Sequence, residues 1–100
     1  MTAHQLANFA LTKIRNHVNF DTADTSVKLT YLGQLKKEHF FLLTITPVNA
    51  RTNEKAVKTA VNILNTIGFK DTHWIHTLWD ESDKYHYYCY IEDSTMMHIN

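Results

Sequence analysis

Two parts of the chain show the polarity pattern of amphipathic helices. Apolar residues recur every three or four positions over residues 6–18, which is the period of one helical face. The Thr2–Gln5 segment before them has the spacing of a capping box, so we predict a helix over residues 3–18. A second helix is predicted over residues 52–67, where apolar residues form a wide face and Gly68 follows as a stop signal.

Each predicted helix is followed by two segments that are rich in β-branched and aromatic residues. These predicted strands are residues 26–32, 37–46, 72–79 and 84–92. The segments Gly33–Lys36 and Asp80–Asp83 separate the members of each pair and have the composition of turns. The order of elements is therefore helix, strand, strand, written twice, which predicts pseudo-repeats over residues 3–46 and 52–92.

The second strand of each pair carries the same short phrase. Lys37–Phe41 and Lys84–Tyr88 both read Lys, any residue, His and two aromatics. Two strand pairs, each with a helix, pack most simply as one four-stranded antiparallel sheet with both helices on one face. We predict a single α+β domain over residues 1–100 in which the two strands that carry the phrase are central, with residues 94–100 as a flexible tail.

This arrangement resembles the ferredoxin-like architecture, circularly permuted so that the chain begins with a helix. The resemblance is one of topology and implies that the sheet face opposite the helices is uncovered. Because many unrelated functions share such an architecture, the resemblance transfers no activity to the chain.

Strand alternation assigns side chains to the two faces once the turns are placed. With four-residue turns, Leu32 lies opposite Lys37 and Trp79 lies opposite Lys84, which places Phe40 under the helices. An apolar patch then remains on the uncovered face, and such patches mark binding surfaces. The predicted partner-binding residues are Lys37, His39, Phe41, Leu43, Trp79, His86, Tyr88 and Tyr90. The alternatives are that residues 94–100 fold back over this patch or that the faces are sorted differently.

The composition is that of an ordered globular protein. Ten basic and ten acidic residues cancel, so the chain lacks the basic excess of a duplex-binding protein. Apolar runs are short and no secretory pattern opens the chain. The single cysteine, Cys89, cannot form an internal disulfide. We expect a soluble protein in a reducing compartment, the cytoplasm, with no membrane partner.

Residues that could carry chemistry are few. His73 and His76 point to opposite faces of a strand and cannot share a metal ion, and an ion bridged by His39 and His86 is disfavoured because the two lie near the starts of antiparallel strands. Cys89 and His76 could form a thiolate–imidazole pair, but on the helix-covered face. No phosphate loop, nucleophile elbow or metal motif occurs, so we expect no cofactor and no metal.

These observations favour a small non-enzymatic binding protein. We expect it to act as an inhibitor, adaptor or regulator by protein–protein contact, either as a homodimer or with a larger protein, because Trp and Tyr on a rigid sheet match interface hot spots. The alternative is single-stranded RNA or DNA binding through the same aromatics. A small enzyme with Cys/His chemistry is the third hypothesis.

Overall fold

The protein is an α+β fold in which helices pack on a four-stranded antiparallel sheet. A computed structural model of the chain describes residues 1–18, 20, 25–47, 54–72, 77–79 and 84–99. The elements in chain order are α1 (Ala3–Arg15), β1 (Thr25–Leu35), β2 (Glu38–Pro47), α2 (Glu54–Ile67), β3 (Lys70–Asp71), β4 (Thr77–Trp79), β5 (Tyr85–Glu92) and α3 (Asp93–Met97).

The sheet has β2 and β5 at its centre, as the sequence predicts. β1 pairs with one edge of β2. The other edge of β2 pairs with the whole length of β5, from Glu38 opposite Glu92 to Ile45 opposite Tyr85. The short strands β3 and β4 both pair with the other edge of β5. β3 and β4 lie one after the other along this edge, so the five strands make a sheet that is four strands wide.

Local chemistry explains where the helices begin and end. The Thr2 hydroxyl accepts a hydrogen bond from the Gln5 backbone N–H, and the Gln5 side chain accepts one from the Thr2 backbone N–H, which completes the predicted capping box. α2 ends before Gly68, whose φ of 132° lies in a region that other residues avoid. A Cβ atom at Gly68 would also lie 2.8 Å from the Thr95 side chain of α3, so glycine serves both the backbone and the packing.

One face of the sheet holds the buried strand residues. They alternate along each strand, as the two-residue period requires, and the apolar ones among them form a single core with apolar residues of all three helices. The buried strand residues are Thr25, Val27, Leu29, His39, Phe41, Leu43, Ile45, Tyr85, Tyr87, Cys89 and Ile91. We call this side the covered face and the opposite side the open face.

A bulge in β1 decides how the first hairpin is sorted. Tyr31 pairs with Phe41 and Gly33 pairs with Phe40, so Leu32 between them has no partner in β2. The turn is also shorter than predicted, because Leu35 pairs with Glu38 and only Lys36 and Lys37 connect the strands. Lys36 has a φ of 56°, the left-handed conformation that a two-residue hairpin turn requires at its first position.

The bulge, and not the turn, inverts the predicted faces of β2. Moving from the four-residue turn to the two-residue turn shifts the pairing by an even number of residues and would leave Tyr31 opposite Leu42. The single unpaired residue Leu32 adds an odd step, which turns every β2 side chain to the other face. Phe41, Leu43 and His39 are therefore buried under the helices, and their assignment to the uncovered face was wrong.

The repeated phrase therefore does not occupy equivalent positions in the two central strands. His39 lies on the covered face of β2, whereas His86 is a half-buried residue that alternates with the buried residues of β5. The two imidazoles are on opposite faces, whereas the sequence placed both on the uncovered face.

The C-terminal segment, predicted as a flexible tail, contains a short helix in the part that the structure describes. Asp93–Met97 form α3, and Met96 is buried in the same core as the helices and the covered face. The backbone N–H of Asp93 donates a hydrogen bond to the Lys37 carbonyl oxygen at 2.7 Å, which joins α3 to the first hairpin. The segment therefore packs on the covered side, where Met96 gains apolar contacts, and not across the open face.

Deleting Leu32 should leave the fold intact, because Tyr31 and Gly33 would then pair with successive residues of β2. Deleting Thr30 is the matched control. Leu32 would then take a regular place in the ladder, and Tyr31 would fall opposite Leu42 on the open face. We expect the second deletion to lower the free energy of unfolding by about 1–3 kcal/mol more than the first, because the His39 imidazole loses its Tyr31 partner. Urea unfolding monitored by circular dichroism measures both, and equal losses would contradict the proposed role of the bulge.

Candidate functional site

The open face presents a ladder of side chains on the two central strands. Phe40 stands opposite Tyr90 with ring centroids 5.9 Å apart, and Leu42 stands opposite Tyr88. Thr44 stands opposite His86, and its Oγ1 lies 3.5 Å from Nδ1 of the imidazole. All six side chains are half-buried, so they are held by their neighbours and still present surface to solvent.

This ladder changes in character along the strands. Its apolar end, next to the hairpin turn, consists of Phe40, Tyr90, Leu42 and Tyr88, which we call the aromatic cluster. Its other end carries the Thr44 hydroxyl and the His86 imidazole. The β1 residues beside this end are Ser26 and Lys28, and both are exposed. Apolar contact is therefore concentrated at one end of the open face.

A groove of about 320 Å³ adjoins the aromatic cluster. The end of β1 forms one side of it, where Leu32 and Leu35 are both exposed. Its lining residues are Leu32, Gly33, Gln34, Leu35, Phe40, Phe41, Thr72, Tyr88 and Cys89. Because a bulge bends its strand and increases its twist, the unpaired Leu32 positions the segment that forms this side of the groove.

The structure separates the predicted partner-binding residues into different environments. His86, Tyr88 and Tyr90 lie on the open face, and Lys37 is exposed in the hairpin turn. The buried residues His39, Phe41 and Leu43 lie on the covered face, the last two with no exposed surface. Trp79 pairs with Tyr85 instead of Lys84, and its side chain is outside the part of the chain that the structure describes.

Phe40 and Leu42 take the places that the sequence argument assigned to Phe41 and Leu43. The signal that could have revealed them is Gly33, because an isolated glycine within a strand pattern indicates a bulge. A bulge beside Gly33 reverses the assignment of faces in β2, and with it the choice between neighbouring residues in the run Phe40–Leu43.

A second group of polar side chains lies at the hairpin end of the covered face. The His39 ring nitrogens have two partners: Nδ1 lies 3.0 Å from the Tyr31 hydroxyl and Nε2 lies 2.9 Å from the Asp93 carboxylate. The His4 ring packs edge-on against Tyr31 with ring centroids 6.2 Å apart. These residues come from α1, β1, β2 and α3, and no pattern in the sequence predicts that they meet.

The thiol of Cys89 is buried and donates to the Phe41 carbonyl oxygen at 3.8 Å. Burial, with a contribution from the charge of Asp71, raises the thiol pKa from its ordinary value of 9.0 to about 12. The neighbouring Tyr87 hydroxyl donates to the Asp71 carboxylate, and burial followed by this hydrogen bond raises the pKa of Tyr87 as well. A neutral buried thiol is a poor nucleophile, and the proposed partner His76 lies outside the described residues, as do His73 and the acidic turn Asp80–Asp83.

Within the described residues, no three His, Cys, Asp or Glu side chains come together in a way that could hold a metal ion. A groove of about 500 Å³ between α1 and α2 mixes Lys13 and His17 with hydroxyl, amide and isoleucine side chains. None of the helices in the described ranges is both long enough and apolar enough to cross a membrane.

Comparison with known proteins adds no relative. No protein-family model, no curated protein and no solved structure matches the chain.

The raised thiol pKa gives a prediction for alkaline conditions. In the unfolded chain Cys89 ionises near pH 9, whereas in the folded protein it stays protonated up to about pH 12. Stability is therefore unaffected by this group below pH 9 and falls as the pH rises from 9 towards 12, by up to about 1.4 kcal/mol per pH unit.

Cys89→Ala should remove this contribution, so urea unfolding between pH 8 and 11 should show a shallower loss of stability in the variant. Parallel curves for the two proteins would show that the thiol ionises equally in both states. Tyr87, whose pKa is raised mainly by burial, contributes a further loss above pH 10 in both proteins.

Proposed function

We propose that the protein is a small non-enzymatic binding protein that acts by protein–protein contact through the aromatic cluster and the adjoining groove. The observation that carries the proposal is the concentration of Phe40, Leu42, Tyr88 and Tyr90 at one end of the open face, beside a groove with exposed Leu32 at its side. Tyrosine and phenylalanine on a rigid backbone bury a large area at low entropic cost, which is the chemistry of interface hot spots.

The surface fits a compact contact better than a face-wide one. One of the three pairs of the open-face ladder, Thr44 with His86, lies outside the aromatic cluster, and the β1 residues Ser26 and Lys28 beside it are exposed. Interfaces commonly combine an apolar centre with a polar rim, and the exposed turn residues Lys36 and Lys37 stand at the edge of the aromatic cluster. An inhibitor, adaptor or regulator that occupies part of another protein's surface needs this kind of patch, as does a homodimer joined by its open faces.

We further infer that the chain is a permuted ferredoxin-like domain built from a tandem helix–strand–strand unit. The support is the repeated order α1, β1, β2 and α2, then β3 with β4, and β5, together with the central position of the second strand of each unit. A cytoplasmic location belongs to the same proposal, since the lone Cys89 is a free buried thiol.

Single-stranded nucleic acid is the second candidate ligand of this face. Its support is the position of Phe40, Tyr88 and Tyr90 on the two central strands, where ring faces can stack on bases, with Lys28 on the neighbouring strand. The zero net charge of the chain argues against it, because phosphate contacts supply most of the affinity of such binding.

Replacing Tyr88 by Ala should weaken partner binding by about 30-fold or more, the loss expected when a hot-spot aromatic is truncated. Folding should survive, because Tyr88 is only half-buried. Thr46→Ala, at the polar end of the same face, is the matched control and should bind as the parent does. Phe41→Ala should instead cost about 3–5 kcal/mol of stability, since its ring is fully buried.

The decisive measurement is sedimentation velocity over a range of protein concentrations, for the parent, Tyr88→Ala and Thr46→Ala. A dimer that Tyr88→Ala dissociates and Thr46→Ala preserves identifies a second copy as the partner. If the parent is a monomer throughout, titration with a labelled oligonucleotide at low and high salt follows. Binding that falls steeply with salt and requires Tyr88 would replace the protein partner by nucleic acid.

A further inference from the structure

The polar group at the hairpin end of the covered face is arranged as a proton relay. The Asp93 carboxylate can only accept, so its 2.9 Å contact assigns a hydrogen to Nε2 of His39. In the neutral imidazole, Nδ1 is then the unprotonated nitrogen and accepts the hydrogen bond of the Tyr31 hydroxyl at 3.0 Å. The Tyr31 hydroxyl is thus placed as a nucleophile, the His39 imidazole as its base and the Asp93 carboxylate as the group that orients the imidazole.

The three residues of this relay are held by different elements. Tyr31 is fixed by its pairing opposite Phe41 and by ring contact with that residue at 5.1 Å between centroids. His39 is almost completely buried, whereas the Asp93 side chain is 43% exposed and its backbone N–H is bonded to Lys37. Tyr31 itself is half-buried and lies on β1, the edge strand of the sheet.

We propose that Tyr31 is a nucleophilic tyrosine that accepts an acyl group from an activated, uncharged acyl donor. The Tyr31 oxygen attacks the carbonyl carbon while its proton passes to Nδ1 of His39. The tetrahedral adduct then expels the leaving group as an anion, and His39 returns the proton to the leaving group or to solvent. One acyl–oxygen bond forms and one acyl–leaving-group bond breaks, so no oxidant or further reactant is needed.

Charge selects the class of donor. The charged member of the relay is the Asp93 carboxylate, which repels a phosphate or another anionic donor. An ester or thioester with an uncharged acyl part meets no such repulsion. This reactivity is independent of the open-face contact, because Tyr31 belongs to the covered face.

The test is acetylation by p-nitrophenyl acetate, with release of p-nitrophenolate followed by absorbance and the acetylated tyrosines identified by peptide mass spectrometry. Tyr88 and Tyr90 are internal controls, since they are half-buried like Tyr31 but lie on the open face away from the relay. We expect Tyr31 to acetylate at least about tenfold faster than either of them, within the range that a positioned general base supplies. Equal rates at the three tyrosines in the parent protein would overturn the proposal without the use of any variant.

Three variants separate a base from a structural hydrogen bond. His39→Gln keeps an acceptor for Tyr31 and a donor for Asp93 but cannot take up the proton, and Asp93→Asn can donate to Nε2 and so favour the tautomer in which Nδ1 is protonated. Both should reduce Tyr31 acetylation about tenfold or more and leave Tyr88 and Tyr90 unchanged. Tyr31→Phe should abolish the fast phase. Unchanged Tyr31 acetylation in folded His39→Gln, verified by circular dichroism, would show that the imidazole only supports the fold.

Discussion

A strand can direct only every second side chain into a core, so the unpaired residue Leu32 determines the surface as well as the interior of this protein. With the bulge, β2 presents Phe41, Leu43 and Ile45 to the helices, and all three are completely buried. If Leu32 were paired in a regular ladder, the same strand would bury Phe40 and Leu42 instead. The run of apolar residues in β2 tolerates either choice, and the register alone selects one of them.

The same bulge brings Tyr31 into the hydrogen-bonded group of His39 and Asp93. It places Tyr31 opposite Phe41 on the covered face, within reach of His39, and the two strands then share that face with Asp93 at the start of α3. A buried imidazole without partners would cost free energy, and here both ring nitrogens have one. The C-terminal helix is consequently tied to the first hairpin by polar contacts, in addition to the apolar contacts of Met96.

Both faces of β5 carry tyrosines, but the two pairs differ in burial. Tyr85, Tyr87 and Cys89 of β5 are enclosed by the helices, where burial raises the pKa of Tyr87 and of Cys89. Tyr88 and Tyr90 of the same strand remain half-buried and pair with Leu42 and Phe40 across the open face. The hydrogen-bonded group of Tyr31, His39 and Asp93 therefore lies on the covered face, and the aromatic cluster lies on the other side of the sheet.

The sequence by itself determined the elements whose signals are local: the capping box at Thr2, the helix stop at Gly68 and the apolar central strands that carry the predicted aromatics. The assignment of Tyr88, Tyr90 and His86 to the open face followed from alternation within β5, which has no bulge. The face of β2, the burial of Met96 and the meeting of Tyr31, His39 and Asp93 were decided only by the tertiary structure. They depend on how separate segments pair and pack, and one unpaired residue that is neutral in local preference reverses a whole strand.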